Sequence, residues 1–318
     1  MKEPMKITST IRMSHMPLGV SRLCLGTADW GAKHGDDLDE LYVAFRNAGG
    51  NIFDTAHCYA FWMDAEGRSE QTLGEVVRRH DRRENVVICS KGCHITGGEK
   101  YPRPERYMTP EILEHDLTQS LDRLQTDYID VYYLHRDDET VAVDEILDAL
   151  ETHKNAGRIR AYAASNWRAS RLQQANEYSI YNGLSGFVAS QILWNLGELS
   201  HPVPDDICAM NNEEMGFYET SKLPVFAFSG AANGFFGDTI PSQSSYDNEV
   251  SRARRERASQ LAQKRGATTN QIALAYLFAH DFPVVAITGT TSIAHLSDAL
   301  GATQIKLSTN EARWLHDG

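Results

Sequence analysis

No run in the 318 residues approaches the roughly 20 consecutive apolar positions that a membrane-spanning helix requires. Positive charge is also in short supply, with 31 Lys and Arg against 43 Asp and Glu, a formal net charge of −12. A nucleic-acid backbone needs a basic surface, so nucleic acid is excluded as an expected partner. The densest basic stretch, Arg252, Arg254, Arg255 and Arg257, is interrupted by Glu256 and reads as the solvated face of a helix. Cysteine is sparse: Cys24, Cys58, Cys89, Cys93 and Cys208 are odd in number and scattered, which is no disulfide framework. Cys89, Cys93 and His94 hint at a metal. Cys89 falls in an expected buried strand, however, and no second ligand pair follows at zinc spacing, so no metal is expected. The first twenty residues lack the apolar core of a signal peptide, and a reducing cytoplasm is the expected compartment. Low-complexity linkers are missing too, so residues 1–318 read as one domain.

What the chain does contain is globular material, 42% hydrophobic and 23% charged, enough for a large core. Eight short apolar runs recur: residues 22–26, 51–55, 86–91, 128–134, 158–164, 187–193, 224–229 and 283–289. Their near-continuous hydrophobicity suits strands covered on both faces, the habit of a parallel sheet. Between them, apolar residues fall at helical spacing, as in Leu38, Leu41, Tyr42 and Phe45, or Leu113, Leu117, Leu121 and Leu124. Thr109 followed by Pro110 is a helix start, and Gly49 and Gly157 are helix stops. Eight such units predict an α/β fold of the closed (β/α)8 TIM-barrel class. Long polar connections follow the third strand (92–108) and the seventh (229–248), on the face where barrels carry their active sites.

Four polar residues end or follow neighbouring strands: Asp54 and Tyr59 after the second, Lys91 on the third, His135 after the fourth. A free phenol titrates near about 10 and a neighbouring ammonium favours its anion, so Lys91 is expected to lower the Tyr59 pKa; a drop of roughly three units would correspond to about 4 kcal/mol. Asp54 would hold Lys91 charged, and His135 would orient a carbonyl oxygen towards the phenol. Such a group polarises an aldehyde or ketone and protonates the alkoxide that forms.

At these residues the chain resembles the aldo-keto reductases. The family pattern reads here as Asp54-Thr55-Ala56, Tyr59, Gly67-Arg68-Ser69-Glu70, Leu73-Gly74, Ser90-Lys91, Leu134-His135, Ser165-Asn166 and Gln191, with the resemblance running from about Val20 to the last helix. It implies a catalytic tetrad of Asp54, Tyr59, Lys91 and His135 and an NADP cofactor, with NAD as the alternative. Gly26, Thr27 and Asp54 would line the nicotinamide, and Ser165, Asn166 and Gln191 would bind its carboxamide with neutral donors and acceptors. Phe228, where tyrosine is usual, would stack on the ring. Ser229, Ala231, Asn233 and Gly234 fall in the pyrophosphate loop. Gly289, Thr290, Thr291, His295 and Asp298 meet the adenosine end, where no arginine marks a 2′-phosphate and Asp298 suits a free ribose.

The expected activity is therefore reduction of a small-molecule carbonyl to an alcohol. Trp30, Trp62, Trp167, Tyr59, His135 and Arg136 are the candidate substrate contacts. Aromatic faces beside Arg136, Asp137, His94 and Lys100 suggest a sugar-type carbonyl. Two other readings stay open: a cofactor-binding regulatory or redox-sensing subunit similar to potassium-channel β subunits, and a Schiff-base lyase using Lys91. Asn166 is also a candidate N-cap for the following helix. The sequence leaves the oligomeric state open.

Overall fold

Apolar runs without polar interruption need cover on both faces. The computed structural model, which describes residues 6–7, 9–31 and 38–318, provides it by closing the runs into a barrel. The strands are β1 (Leu23–Gly26), β2 (Ile52–Asp54), β3 (Val87–Gly92), β4 (Ile129–Leu134), β5 (Ile159–Ser165), β6 (Phe187–Leu193), β7 (Val225–Phe228) and β8 (Val284–Gly289). Each is parallel to the next, and β8 closes on β1 with Gly289 opposite Gly26. All eight predicted runs contain a strand, with ends shifted by a residue or two at most.

The period of two along each strand separates two apolar layers. Cys24, Val87, Val131, Ala161, Phe226 and Val285 fill the barrel interior. Leu25, Phe53, Ile88, Leu134, Ile192 and Ala227 face outward to the helices. A hairpin that escapes periodicity analysis, Thr10–Ile11 paired with Val20–Ser21, adds Ile11, Met13 and Val20 to the interior cluster. Asn51, just before β2, accepts from Ser21 N at 2.9 Å and donates to the Gly19 carbonyl at 2.9 Å. The hairpin is thereby fastened at the strands' amino ends, and only the carboxyl end remains for chemistry.

The helices are α1 (Leu38–Asn47), α2 (Arg68–His80), α3 (Pro110–Leu124), α4 (Val143–Asn155), α5 (Ala169–Asn182), α6 (Asn212–Ser221), α7 (Glu249–Arg265), α8 (Thr269–Leu277), α9 (Ile293–Ala302) and α10 (Thr309–Asp317). Thr109 caps α3, accepting from Ile112 N, with Pro110 at the first position as the sequence predicts. The Leu-Gly step in α2 has a steric cause. A Cβ on Gly74 would lie 2.4 Å from the Leu124 carbonyl oxygen, so only glycine lets α2 and α3 approach this closely.

The basic stretch in α7 is a solvated face only at Arg252, which is exposed and pairs with Asp247 at 2.6 Å. Arg254 is buried and donates to the carbonyls of His316 (3.0 Å) and Leu196 (3.1 Å). Arg255 donates to the carbonyls of Phe235 (3.1 Å) and Gly237 (2.7 Å), and Arg257 to that of Leu315. These guanidiniums tie the loop after β7 and the last helix to α7, because carbonyls with no intrahelical partner need donors. Among the described residues, no helix is long and apolar enough to cross a membrane.

Candidate active site

The register of the barrel places residues from distant sequence positions side by side. Asp54 pairs with Cys89 across β2–β3, and Lys91 with Tyr133 across β3–β4. Beyond β2 the chain keeps bonding to β3, through Thr55 N to the Cys89 carbonyl and His57 N to that of Lys91, both at 2.9 Å. Ser69 supports this segment from behind, its hydroxyl 2.9 Å from Thr27 Oγ1 and 2.8 Å from Thr55 Oγ1. Glu70, fully buried, accepts from Ser90 Oγ at 2.5 Å and from Arg123 at 3.4 Å. The Gly-Arg-Ser-Glu motif thus acts as a brace beneath the site, which explains why its polar residues are buried.

The tetrad converges. Lys91 Nζ donates to Asp54 Oδ2 at 2.7 Å, to the Tyr59 phenol oxygen at 2.7 Å and to the Thr55 carbonyl at 2.9 Å. All three ammonium donors are engaged, which suits a charged positioning group and disfavours the free amine that a Schiff base needs. Tyr59 OH reaches Asp54 Oδ2 only at 3.5 Å, a weak bond that leaves its proton available. The His135 and Tyr59 rings meet edge to face at 5.7 Å.

One expectation is overturned. Tyr59 is not acidified: burial, the largest influence, raises its pKa, Lys91 opposes this, and the Asp54 charge adds to the rise. Burial works to lower the Lys91 pKa, but the Asp54 carboxylate and the phenol override it, and the ammonium is held. Burial drives His135 well below the usual imidazole value, with His94 and Arg136 adding to it, so it is neutral at pH 7.

The other mouth positions come from the remaining strands. Ser165 ends β5, and Asn166 just beyond it, in a left-handed conformation (φ 62°), donates to the His135 carbonyl and to Ser165 Oγ, both at 3.1 Å. It does not cap α5, which begins at Ala169 behind Arg168. Gln191 on β6 donates across the mouth to Asp54 Oδ1 at 2.9 Å, a link between the carboxamide set and the tetrad that no spacing in the sequence signals. Phe228 ends β7, half-buried against the interior cluster. In the loop that follows, Ser229, Ala232, Asn233 and Gly234 all have positive φ (54°, 47°, 51° and 85°). Strain of that kind persists where a backbone shape is required, as around an anion. Ala231 is half-buried there.

Gly26 and Thr27 are buried at the end of β1, with Thr27 Oγ1 3.0 Å from the Asp54 carbonyl. Gly289 is exposed at the end of β8, and Thr290 and Thr291 are half-buried beyond it. His295 is exposed in the first turn of α9. Asp298 departs from its expected use. Its two oxygens accept from Thr268 Oγ1 and Asn270 Nδ2, both at 2.7 Å, so the carboxylate joins α9 to α8.

Of the candidate substrate contacts, Trp62 is 42% exposed and lies edge-on to Tyr59, at the mouth. Trp30 and Trp167 do not line it. Trp30 is 1% exposed within the outer core, and Trp167, 0% exposed, donates to the Arg136 carbonyl and packs edge-on against Phe187. Large aromatic area is worth most when fully removed from water, and both tryptophans are used that way. Arg136 is half-buried and bound to Asp206 at 2.7 Å.

The loop after β3 closes over this mouth. Phe61 stacks on Tyr101 at 5.3 Å, and Tyr101 OH bonds to His57 Nδ1 at 2.9 Å. Arg103 joins Tyr101 to the buried Asp116. Cys89 points into the barrel interior and Cys93 outward to the helices, so the two do not share a site. Instead, Cys58 Sγ lies 3.4 Å from His135 Nδ1, a neighbour that only the fold reveals. A cavity of about 720 Å³ opens elsewhere, on the barrel flank between Trp194, Arg254, Tyr276 and His316, and no tetrad residue lines it.

The chain is similar to known proteins along most of its length. The sequence model of the aldo/keto reductase family matches residues 22–316. Norsolorinic acid reductase B of Aspergillus parasiticus is 30% identical over 92% of this chain and 79% of its own length. Uncharacterized oxidoreductase YrpG of Bacillus subtilis is 29% identical over 94% and 92%. An aldo-keto reductase from Klebsiella pneumoniae, crystallised in complex with NADPH, superimposes with a TM-score of 0.72 at 24% identity, covering 96% of this chain and 93% of that one.

Proposed function

This chain belongs to the aldo/keto reductase family, and we propose that it is an NAD(P)H-dependent reductase of aldehydes or ketones, with NADPH as the preferred donor. The observation that carries the reading is the Tyr59 phenol held 2.7 Å from the Lys91 ammonium, which is itself 2.7 Å from Asp54.

The mouth suits a nicotinamide cofactor chemically. Ser165, Asn166 and Gln191 offer hydroxyl and amide groups of both hydrogen-bonding senses, and Gln191, donating to Asp54, keeps its carbonyl oxygen for a carboxamide N–H. Phe228 supplies a π-face, and the left-handed turn at 232–234 suits a pyrophosphate. When bound, the nicotinamide supplies the hydride. Tyr59 then delivers its proton to the oxygen on which negative charge develops, and Lys91 stabilises the phenolate left behind. Raising the phenol pKa keeps the acid loaded, while the ammonium lowers the barrier only as the anion forms. Neutral His135 donates one ring N–H to the same oxygen and orients it.

At the adenosine end, His295, Thr290 and Thr291 are left to meet a 2′-phosphate. The case for a free ribose weakens, because Asp298 is engaged with α8. Trp62 packs on Tyr59, Phe61 on Trp62 and His94 on His135, aromatic faces that favour a carbonyl on a flat or aromatic carrier. The side chains that would serve a polyhydroxylated substrate are held elsewhere: Arg136 by Asp206, Asp137 by Arg171 and Lys100 by Asp64.

Fluorescence titration with NADPH and NADH, followed by turnover on aromatic aldehydes and on aldoses, tests the reading. Tighter binding of NADPH and faster turnover of the aromatic set are expected. Absence of nicotinamide binding refutes it, and tight binding without turnover would favour the regulatory-subunit reading instead.

A further inference from the structure

We propose that Cys58, His94 and His135 form a site for a zinc-class divalent cation at the barrel mouth, and that the bound cation excludes a carbonyl substrate from His135. One donor atom from each of the three residues lies within 4.8 Å of the others. Cys58 Sγ and His135 Nδ1 are already 3.4 Å apart, and the His94 and His135 rings stand 4.6 Å apart at 71°. Around a tetrahedral zinc, with bonds of about 2.3 Å to sulfur and about 2.0–2.1 Å to nitrogen, donor atoms stand roughly 3.3–3.6 Å apart. One pair meets that spacing, and the third donor lies within 4.8 Å of both.

The donors are in the right chemical state, or one proton from it. His94 Nδ1 is 2.8 Å from the Ile95 carbonyl. A carbonyl only accepts, so Nδ1 carries the proton and Nε2 keeps its lone pair, with the carbonyl as the outer support usual for a ligating histidine. A metal binds cysteine as the thiolate, not as the thiol. Binding therefore breaks the S–H bond, forms a sulfur–metal bond and releases the proton to the buffer.

The surrounding charges are matched: Lys91 by Asp54, Arg136 by Asp206, Arg103 by Asp116 and Arg123 by Glu70. A dication accepted by a thiolate thus enters no uncompensated positive field. One sulfur and two imidazoles select zinc or cobalt over magnesium or calcium, and three protein ligands leave a fourth position open. The site stands on these three side chains alone; its competition with substrate rests on the reductase reading.

Metal-free protein titrated with Co²⁺ tests the site without turnover. The expected result is one equivalent bound, with a thiolate-to-cobalt charge-transfer band and tetrahedral visible bands, both abolished by Zn²⁺. Loss of a ligand should exceed the about 10–100-fold affinity loss typical of removing a ligand's outer partner. Cys58→Ser should therefore lose the charge-transfer band and His94→Gln should weaken binding at least as much, while His80→Gln, at the surface, changes nothing. If Cys58→Ser does not fold, His94→Gln carries the comparison. No thiolate band in the folded wild type, or unchanged affinity in the variants, overturns the site. In turnover, Zn²⁺ should raise the carbonyl KM and leave kcat unchanged. Cation binding with unaltered KM overturns the exclusion, and absence of turnover altogether counts against the reductase reading, leaving the cobalt titration to decide the site.

Discussion

The ammonium of Lys91 stands 2.7 Å from the phenol oxygen of Tyr59 and is closed off on its other two sides by Asp54 and the Thr55 carbonyl. A buried cation so enclosed has one direction in which its charge remains useful, towards the oxygen that becomes an anion when the phenol gives up its proton. The burial that raises the phenol pKa and the ammonium that opposes the rise are thus two halves of one device. The first keeps the acid protonated at rest and the second stabilises its conjugate base during reaction.

Tyr59→Phe removes the proton and keeps the ring. The expected fall in kcat for carbonyl reduction is about 10²–10⁴-fold, the usual worth of a positioned acid, with NADPH affinity by fluorescence quenching nearly unchanged. A variant that stays folded and turns over near the wild-type rate would remove Tyr59 from the mechanism.

The pH profile follows from the sign of the Tyr59 shift. Reduction needs the phenol protonated, and a pKa raised above the ordinary value of about 10 keeps it so across the neutral range. Plots of kcat/KM for reduction against pH should show no declining limb assignable to Tyr59 between pH 6 and 9, as order-of-magnitude bounds around neutrality. A decline centred near about 7, present in the wild type and absent in Tyr59→Phe, would mean that the phenol is acidified after all.

Lys91→Met leaves the buried Asp54 carboxylate without its cation, a change that costs about 3–5 kcal/mol. Adding Asp54→Asn should return much of that stability in urea unfolding while kcat stays low, because neither neutral partner stabilises a phenolate. Restored activity in the double variant would contradict the role given to the ammonium.

Trp62 and Trp167 should separate cleanly. Trp62→Ala, at an exposed wall, is expected to raise KM for aromatic aldehydes with stability within about 0.5 kcal/mol of the parent. Trp167→Phe orphans the Arg136 carbonyl and should cost about 1–3 kcal/mol in denaturant unfolding with KM unchanged.

The barrel was legible because its strands are covered on both faces, and continuous apolar runs such as YIDVYYL carry that requirement in composition alone. The hairpin at the closed end was not, since two residues per strand are too few for any period to register. The arginines of α7 misled for a related reason: a basic stretch looks the same whether its guanidiniums face water or the carbonyls of another segment. Trp30 and Trp167 follow strand ends as Trp62 does, and spacing could not distinguish a ring folded inward from one left at the rim.

By itself the sequence determined the succession of eight strand–helix units and the strand ends at which Asp54, Lys91 and His135 fall, because periodicity and residue type are local properties. Only the tertiary structure decided how the Tyr59 proton is held, that Gln191 reaches Asp54 across the mouth, and that Cys58 and His94 gather on His135. Those outcomes depend on dehydration and on distances between atoms far apart along the chain, and closure of the barrel sets both.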